Sequence, residues 1–264
     1  MVRNVFSLFN RQYDPEYKFR GLTPSSSASN YLDNVEGITF DNFDSIDQGW
    51  WLLEREAPTP SEKEVTIDIP YSQGVRDFSI LNGQRYFDNR KLKYKLVVAD
   101  SDYNYRKAKE NEAKRLLMYS GISPLIDTHN PGFIWNAKCT SVEADDDEKE
   151  ETVTLTVEFS AYPFAIQRNY EGSDIWDDIN FDNWKWQDVT YKAGTAKITN
   201  WGNRPVWTTF ECDSNFTITC EQQKVEVTPD NASSKRLLLQ VGDNNIQLDG
   251  TGTLTFKFRC EVVL

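Results

Sequence analysis

The stretch that decides the fold of this chain runs from Trp50 to Leu96 and reads WWLLEREAPTPSEKEVTIDIPYSQGVRDFSILNGQRYFDNRKLKYKL. Apolar and polar residues alternate from Val65 to Ile69 and again from Leu92 to Leu96, which is the period of half-buried β-strands. Asn82-Gly83, between these runs, is a strong hairpin signal. The stretch therefore predicts antiparallel strands with no room for crossover helices. Such a unit has edges, and the edges must be covered by something or paired with it.

The composition indicates a β-rich protein with a strong negative charge. Of the 264 residues, 39% are hydrophobic and 13% aromatic, and only two are Met, which suits pleated surfaces better than helices. This length allows one large or two ordinary domains. The net charge is −12 at pH 7, and the isoelectric point is near 4.7. Such acidity argues against a dedicated nucleic-acid surface and against attraction to an anionic membrane.

The four cysteines, Cys139, Cys212, Cys220 and Cys260, show no metal-binding spacing. Only one histidine, His129, could join them, so a zinc site is not expected. Buried or free thiols in a reducing cytosol are predicted, with a Cys212–Cys220 bridge across a hairpin as the alternative. No apolar run reaches membrane-spanning length, and the N-terminus lacks the apolar core of a signal peptide. The chain is thus expected to stay in a cytosol or to leave it by lysis.

The pattern divides the chain into three parts. Residues 1–36 form an extension that either covers a neighbouring subunit or packs locally on its own domain. Residues 37–165 form a β unit with one helix, and residues 166–264 form a second all-β unit. Short strands separated by hairpin chemistry in this second unit predict a β-sandwich.

One helix is predicted, at about 102–120. Ala113, Leu116 and Leu117 follow a helical period among charged residues. Ser101 or Asp102 can cap its start, and Gly121 can end it. The acidic run at 144–151 lies between two strand-like segments, so it predicts a solvated hairpin tip rather than a calcium loop.

The sequence holds no constellation that is typical of an enzyme. It contains no nucleophile elbow, zinc-protease motif or Gly-rich phosphate loop. His129 is more typical of a loop residue than of a base. Adjacent acids such as Asp177 and Asp178 say nothing about the carboxylate separation that a glycosidase needs. We therefore expect no catalytic activity, no metal and no cofactor.

An aromatic cluster in the second half suggests a competing function. If Trp184, Trp186 and Trp201 are exposed, they could stack on sugar rings, and the second unit would be a carbohydrate-binding adhesion module. The simpler interpretation is core and interdomain packing, because Trp buries a large area. Fold alone does not decide between the two.

Several segments, taken in order, resemble one protein family. They are Ser45–Trp50 (SIDQGW), Glu54–Pro58 (EREAP), Ile69–Ser79 (IPYSQGVRDFS), Tyr86–Tyr94 (YFDNRKLKY), Pro131–Trp135 (PGFIW) and Phe159–Phe164 (FSAYPF). Together they resemble the distal tail protein (Dit) of siphophages, the long non-contractile-tailed phages, that infect Gram-positive hosts. The resemblance covers residues 38–164 well. It continues more weakly at Asn200–Asn203, which resembles the start of the family's C-terminal sandwich.

The resemblance implies a structural role at the tail tip of a virion. It implies an N-terminal β-barrel or split-barrel domain like that of tail-tube proteins, carrying one helix, and a C-terminal galectin-like β-sandwich. Six copies would form a ring between the major tail protein and the tail-associated protein, assembled in the host cytoplasm and supporting the baseplate and its receptor-binding proteins. DNA would pass through without being bound, and acidic channel walls would repel its phosphates.

The chain differs from the resembled family in two features. The extension at 1–36 precedes the usual start, and the chain is too short for the large inserted carbohydrate-binding modules of some members. A tail-tube-like or baseplate protein at another position in the stack is the alternative, although tube subunits are usually single-domain. The edge-forming hairpins predict these ring-interface residues: Trp50, Trp51, Arg85, Tyr86, Arg90 and Tyr94.

Overall fold

The computed structural model describes residues 2–4, 36–81, 84–172 and 187–264, with only the backbone described for 2–4 and for Leu81. Within these residues the chain is mainly β with one helix, which confirms the predicted fold class. Its contacts divide it into two compact units. The first comprises 1–131 and 135–163, and the second comprises 132–134 and 164–264. The predicted domain bounds of 37–165 and 166–264 stay a prediction.

The first unit is built on one large sheet. Its elements are β1 (Val2–Asn4), β2 (Ile38–Phe40), β3 (Phe43–Asp44), β4 (Trp51–Glu56), β5 (Thr66–Asp68), β6 (Val75–Asp77), β7 (Ile80–Leu81), β8 (Gln84–Arg85), β9 (Arg90–Ala99), α1 (Tyr103–Tyr119), β10 (Ser123–Asp127), β11 (Phe133–Asp147) and β12 (Thr152–Ala161). The sheet order is β1-β4-β9-β12-β11-β10-β2-β3. Its ends, β1 and β3, do not pair with each other, so the described strands form an open sheet and not a closed barrel.

Strand alternation places the core of the first unit. In β9 and β12 every second residue is buried, as the period-2 pattern predicts. The two strands pair antiparallel, with Leu96 opposite Leu155 and Leu92 opposite Phe159. All four of these side chains are fully buried. The helix packs near β12 and β3 of this sheet.

Helix α1 lies within the predicted range of 102–120. The Asp102 side chain caps its start by accepting from the Asn104 N–H at 2.8 Å. Its buried residues are Arg106, Glu110, Ala113 and Leu117, spaced four, three and four residues apart along one face. That face covers the sheet and leaves the opposite face in solvent.

The described residues of the second unit form ten strands. They are β13 (Ala165–Gln167), β14 (Thr190–Tyr191), β15 (Gly194–Asn200), β16 (Val206–Cys212), β17 (Phe216–Cys220), β18 (Gln223–Val227), β19 (Leu237–Leu239), β20 (Gly242–Gly250), β21 (Leu254–Lys257) and β22 (Glu261–Val262). Two four-stranded sheets, β14-β21-β16-β19 and β15-β20-β17-β18, contribute side chains to one core cluster. Phe210 and Phe256 meet edge-on there, with their ring centroids 5.5 Å apart. This architecture fits a β-sandwich, and its galectin-like detail stays a prediction.

All four cysteines are free thiols, so the alternative Cys212–Cys220 bridge is not formed. Cys139, Cys220 and Cys260 are buried, and Cys212 is half-buried. Burial raises the pKa of Cys139 to about 11 and that of Cys260 to about 12. Both therefore stay as protonated, unreactive thiols at neutral pH.

Thiol labelling should follow this burial. A brief maleimide pulse on the folded protein at pH 7.5 is expected to modify Cys212 first and to leave Cys139 and Cys260 unmodified. The same pulse in denaturant should modify all four. Peptide mass spectrometry gives the readout, and rapid labelling of Cys139 in the folded chain would contradict the burial described.

Candidate assembly surface

The hairpin segment, residues 57–89, joins β4 to β9 as a two-stranded ribbon. At its base the Lys63 N–H donates to the Tyr86 carbonyl at 2.8 Å, and the Asp88 N–H donates to the Ser61 carbonyl at 2.9 Å. Further out the Phe78 N–H donates to the Val65 carbonyl at 2.8 Å, and β5 then pairs with β6. None of the strands β5 to β8 pairs with the main sheet.

The ribbon has two chemically different faces. Ile67 lies opposite Arg76, and Thr66 lies opposite Asp77. Because opposite residues share a face and successive residues alternate, one face carries Val65, Ile67, Ile69 and Phe78. We call this set the apolar face, and Arg76 lies on it. The other face carries mostly polar side chains, among them Thr66, Asp68 and Asp77.

Within the described part of the chain, no layer covers the apolar face. Ile67 is 52% exposed and Phe78 is 56% exposed, and every residue from 63 to 78 is exposed. The alternation of Val65, Ile67 and Ile69 correctly predicts a strand, but its prediction of half-burial is wrong for one chain. A two-stranded ribbon buries neither face by itself and is marginally stable. None of the described residues supplies a second layer over this face.

A second small hairpin, β7–β8, follows the apolar face. Arg85 forms an ion pair with Glu62, and its guanidinium lies 5.6 Å from the Phe87 ring centroid. The hydrogen bond from Arg85 holds the pKa of Glu62 below its ordinary value. This pair ties β8 to the base of the ribbon. The predicted Asn82-Gly83 turn lies outside the described residues.

The six predicted ring-interface residues separate into two groups. Trp50, Arg90 and Tyr94 are buried inside the first unit. Their partners are internal, because Arg90 donates to the Ala57 carbonyl at 3.1 Å and Tyr94 donates to Asp127 at 3.0 Å. Side chains held in this way are not available to a neighbouring subunit. The accessible group is Trp51, Arg85 and Tyr86, of which Trp51 is half-buried and the other two are exposed.

A second exposed apolar cluster lies at the end of α1. It consists of Met118, Tyr119 and Ile122, and we call it the helix-end patch. Tyr119 is 88% exposed and Ile122 is 77% exposed. The patch lies beside the β2–β3 turn, because the Ser120 hydroxyl donates to the Asp41 carboxylate. Sequence reasoning missed this patch, because it assigned the end of the helix only a stop signal.

The predicted acidic hairpin tip is confirmed. β11 and β12 pair antiparallel out to Asp147 opposite Thr152, and the remaining acids lie in the turn. Asp146 also holds the helix, since Arg106 donates to its two oxygens at 2.7 and 3.1 Å. The described parts of the chain contain no group of three His, Cys, Asp or Glu residues that could hold a metal ion.

Acid should weaken the Arg106–Asp146 contact. The hydrogen bond from Arg106 lowers the pKa of Asp146 below its ordinary value of 3.8. The stabilisation is therefore complete above the unfolded-state pKa and is lost as the pH falls through the folded-state pKa. Urea unfolding should show that Asp146→Asn costs more stability at pH 6 than at pH 2.5. Asp145→Asn, at an exposed neighbouring position, is the control. An equal effect of Asp146→Asn at both pH values would contradict the ion pair.

Of the three predicted sugar-stacking residues, only Trp201 lies among the described residues. Trp184 and Trp186 lie outside the described residues. Trp201 is half-buried in the second unit, where its indole N–H donates to Glu171 at 3.1 Å and its ring meets Phe133 edge-on. Sequence reasoning missed Trp207, which is 56% exposed on β16. The alternation of buried Val206 and Thr208 around it was the available signal.

The architecture of this chain is similar to that of a solved phage protein. The crystal structure of the Dit protein (gp 19.1) of phage SPP1, a paradigm of the hub adsorption apparatus of phages that infect Gram-positive bacteria, is similar with a TM-score of 0.60. The alignment covers 85% of this chain and 98% of the SPP1 protein at 12% sequence identity. This chain has the fold of a phage distal tail protein.

Other comparisons add less. A chain of the phage P2 baseplate in its activated conformation with Ca aligns over 85% of this chain and 97% of its own length, at 8% identity. Its TM-score is 0.40, and a similarity at that level supports no conclusion. Neither protein-family models nor curated sequences match the chain. Among the described residues of this distal tail protein fold, no helix is long and apolar enough to cross a membrane.

Proposed function

We propose that this protein is the structural hub of a phage tail tip and forms a homohexameric ring. The ring joins the tail tube to the tail-associated protein and carries the receptor-binding proteins of the baseplate. The observation that carries the proposal is the apolar face of the hairpin segment. Val65, Ile67 and Phe78 remain in solvent in one chain, although their alternation is that of a buried surface. The similarity to the SPP1 hub protein supports this proposal, and in a ring identical subunits would cover such surfaces for one another.

The charge of the chain supports a passive channel. The net charge of −12 disfavours binding of phosphate groups, so DNA can slide through the ring without being held. We propose no catalytic step and no cofactor for this hub. The backbone N–H of His129 donates to the Asp127 carboxylate at 2.6 Å. His129 lies in the turn that follows β10.

Mass measurement tests this proposal. Light scattering of the purified protein, with negative-stain images of the same fraction, should show six subunits around a central hole. The same antigen should be found at the tip of isolated tails by immunogold labelling. Monomers at micromolar concentration, together with no ring at the tips of virions, would overturn the proposal.

Carbohydrate-binding adhesion is the second candidate, and Trp207 favours it. Its indole stands on an outward strand face that also holds Thr209 and Glu211, which offer hydrogen-bonding groups beside an aromatic plane. Titration with cell-wall saccharides should then quench the fluorescence of the protein, and Trp207→Ala should abolish the change. No heat and no fluorescence change with these saccharides would remove this candidate.

A further inference from the structure

In a closed ring of identical subunits, each subunit contacts two neighbours. Unless the contact lies on a twofold axis, every subunit needs two different surfaces, one that complements the other on its neighbour. The first unit has two such exposed apolar surfaces among its described residues, the apolar face of the hairpin segment and the helix-end patch. The inference drawn from them rests on the ring proposed above.

The apolar face belongs to one side of the large sheet. The hairpin segment leaves the sheet between β4 and β9. β4 pairs on its other side with β1, which ends the described sheet there. The ribbon therefore projects from the second and third strands counted from that edge.

The helix-end patch belongs to the opposite side. Ser120, next to Tyr119, donates to Asp41 in the turn between β2 and β3, and β3 ends the sheet at this edge. Met118 lies over β11, with its sulfur 3.8 Å from the Cys139 sulfur. Four strand spacings separate β9 from β2, which is about 19 Å at ~4.8 Å per spacing. The two surfaces thus lie near opposite edges of one sheet, as a head-to-tail contact requires.

The chemistry of the two surfaces also matches. Branched aliphatic side chains such as Val65 and Ile67 can cover the ring of Tyr119 and the side chain of Ile122, and both sides are now in water. Arg76 lies on the apolar face, and the Asp41 carboxylate borders the helix-end patch, so each side contributes one charge of opposite sign.

We propose that in the ring the apolar face of each subunit packs on the helix-end patch of the next subunit, with Arg76 directed to Asp41 of that neighbour. The partner of the hairpin segment is thus a second copy of this chain. The ribbon of each copy contacts one neighbour, and its helix-end patch contacts the ribbon of the other neighbour.

Complementation between two variants tests the direction of this contact. Val65→Asp, opposite Phe78, places a carboxylate on the apolar face, and Tyr119→Asp places one in the helix-end patch. Each variant alone should be monomeric, because a buried unpaired carboxylate weakens the contact by roughly a hundredfold or more. Mixed in equal amounts, they should form heterodimers but no rings, because one intact ribbon then meets one intact patch.

Two matched controls separate this contact from general damage. Ser72→Asp places the same charge in the exposed loop between β5 and β6, and Asn111→Asp places it on the exposed face of α1 away from the patch. Both should form rings like the wild type. Circular dichroism should give the same melting temperature for all four variants, because every position is exposed in the single chain.

Disulfide capture gives a second readout that does not depend on the strength of one contact. In a Cys212→Ser background, chains with Phe78→Cys and chains with Tyr119→Cys are mixed and oxidised. Covalent dimers that need both chains are expected. Rings that survive Tyr119→Asp, together with no mixed disulfide, would overturn this contact and leave the proposed hub in place. A wild type that forms no ring in solution or on virions would instead overturn the proposed hub itself.

Discussion

Replacing Asp127 with alanine is expected to lower the free energy of unfolding by about 3–5 kcal/mol, because it strands a partly buried guanidinium. Asp127 is fully buried at the end of β10. Its carboxylate accepts from Arg55 Nε, from the Tyr94 hydroxyl at 3.0 Å and from the His129 N–H at 2.6 Å. It thereby joins β4, β9 and β10, three strands that are not all neighbours in the sheet.

Two variants show whether charge or shape carries this effect. Asp127→Asn keeps an oxygen for the His129 N–H but no longer offers a charge to Arg55, so it should lose less than alanine does. Asp68→Ala, at an exposed position on the hairpin segment, should change stability by less than about 0.5 kcal/mol. Urea unfolding followed by circular dichroism measures all three. If Asp127→Ala lowers the free energy of unfolding by less than about 1 kcal/mol, the Arg55 guanidinium is hydrated in the variant and the predicted cost is contradicted.

Removing the outer hairpin segment should abolish the ring and leave the subunit folded. Ser61 and Asp88 are hydrogen-bonded across the ribbon, so an Asn-Gly turn can replace residues 62–87 with the strands in register. The deleted part pairs with no strand of the main sheet, so the melting temperature of the remaining chain should fall by only a few degrees, whereas the mass should drop from hexamer to monomer.

A change in another exposed hairpin serves as the control. Lys149→Asn with Glu150→Gly changes the exposed β11–β12 tip into another hairpin turn and should leave the ring intact. Light scattering compares the two proteins at equal concentration. A ring that persists after the hairpin segment is removed would contradict its role in assembly. Loss of folding would show that the ribbon stabilises its own subunit.

Local patterns alone were enough to predict many elements. The strands β9 and β12 follow from alternation between apolar and polar residues, and α1 follows from a helical period and the Asp102 cap. These signals depend on near neighbours in the chain, which the sequence contains. One signal of the candidate interface was also present, because the alternation around Ile67 marks an apolar strand face.

Local sequence patterns could not predict which face of a strand is buried or which element covers it. Trp50, Arg90 and Tyr94 were predicted at the ring interface because they flank the hairpin segment, and the structure places them in the interior. Tyr94 contacts Asp127 of β10, and Arg90 lies over the Trp135 ring of β11, and both strands lie far away along the chain. The helix-end patch escaped notice for the same reason, because exposure after a helix depends on whether another element happens to cover it.

The sequence by itself determined the β-rich class of this protein, its single described helix, its acidic charge and the two-faced pattern of the ribbon, because each follows from composition or from spacing between near neighbours. Only the tertiary structure decided that the ribbon stands away from the sheet, that Asp127 joins Arg55 to Tyr94, and that Tyr119 ends in solvent near the opposite edge. These are contacts between residues distant in sequence, and burial is a property of the layers that such contacts build.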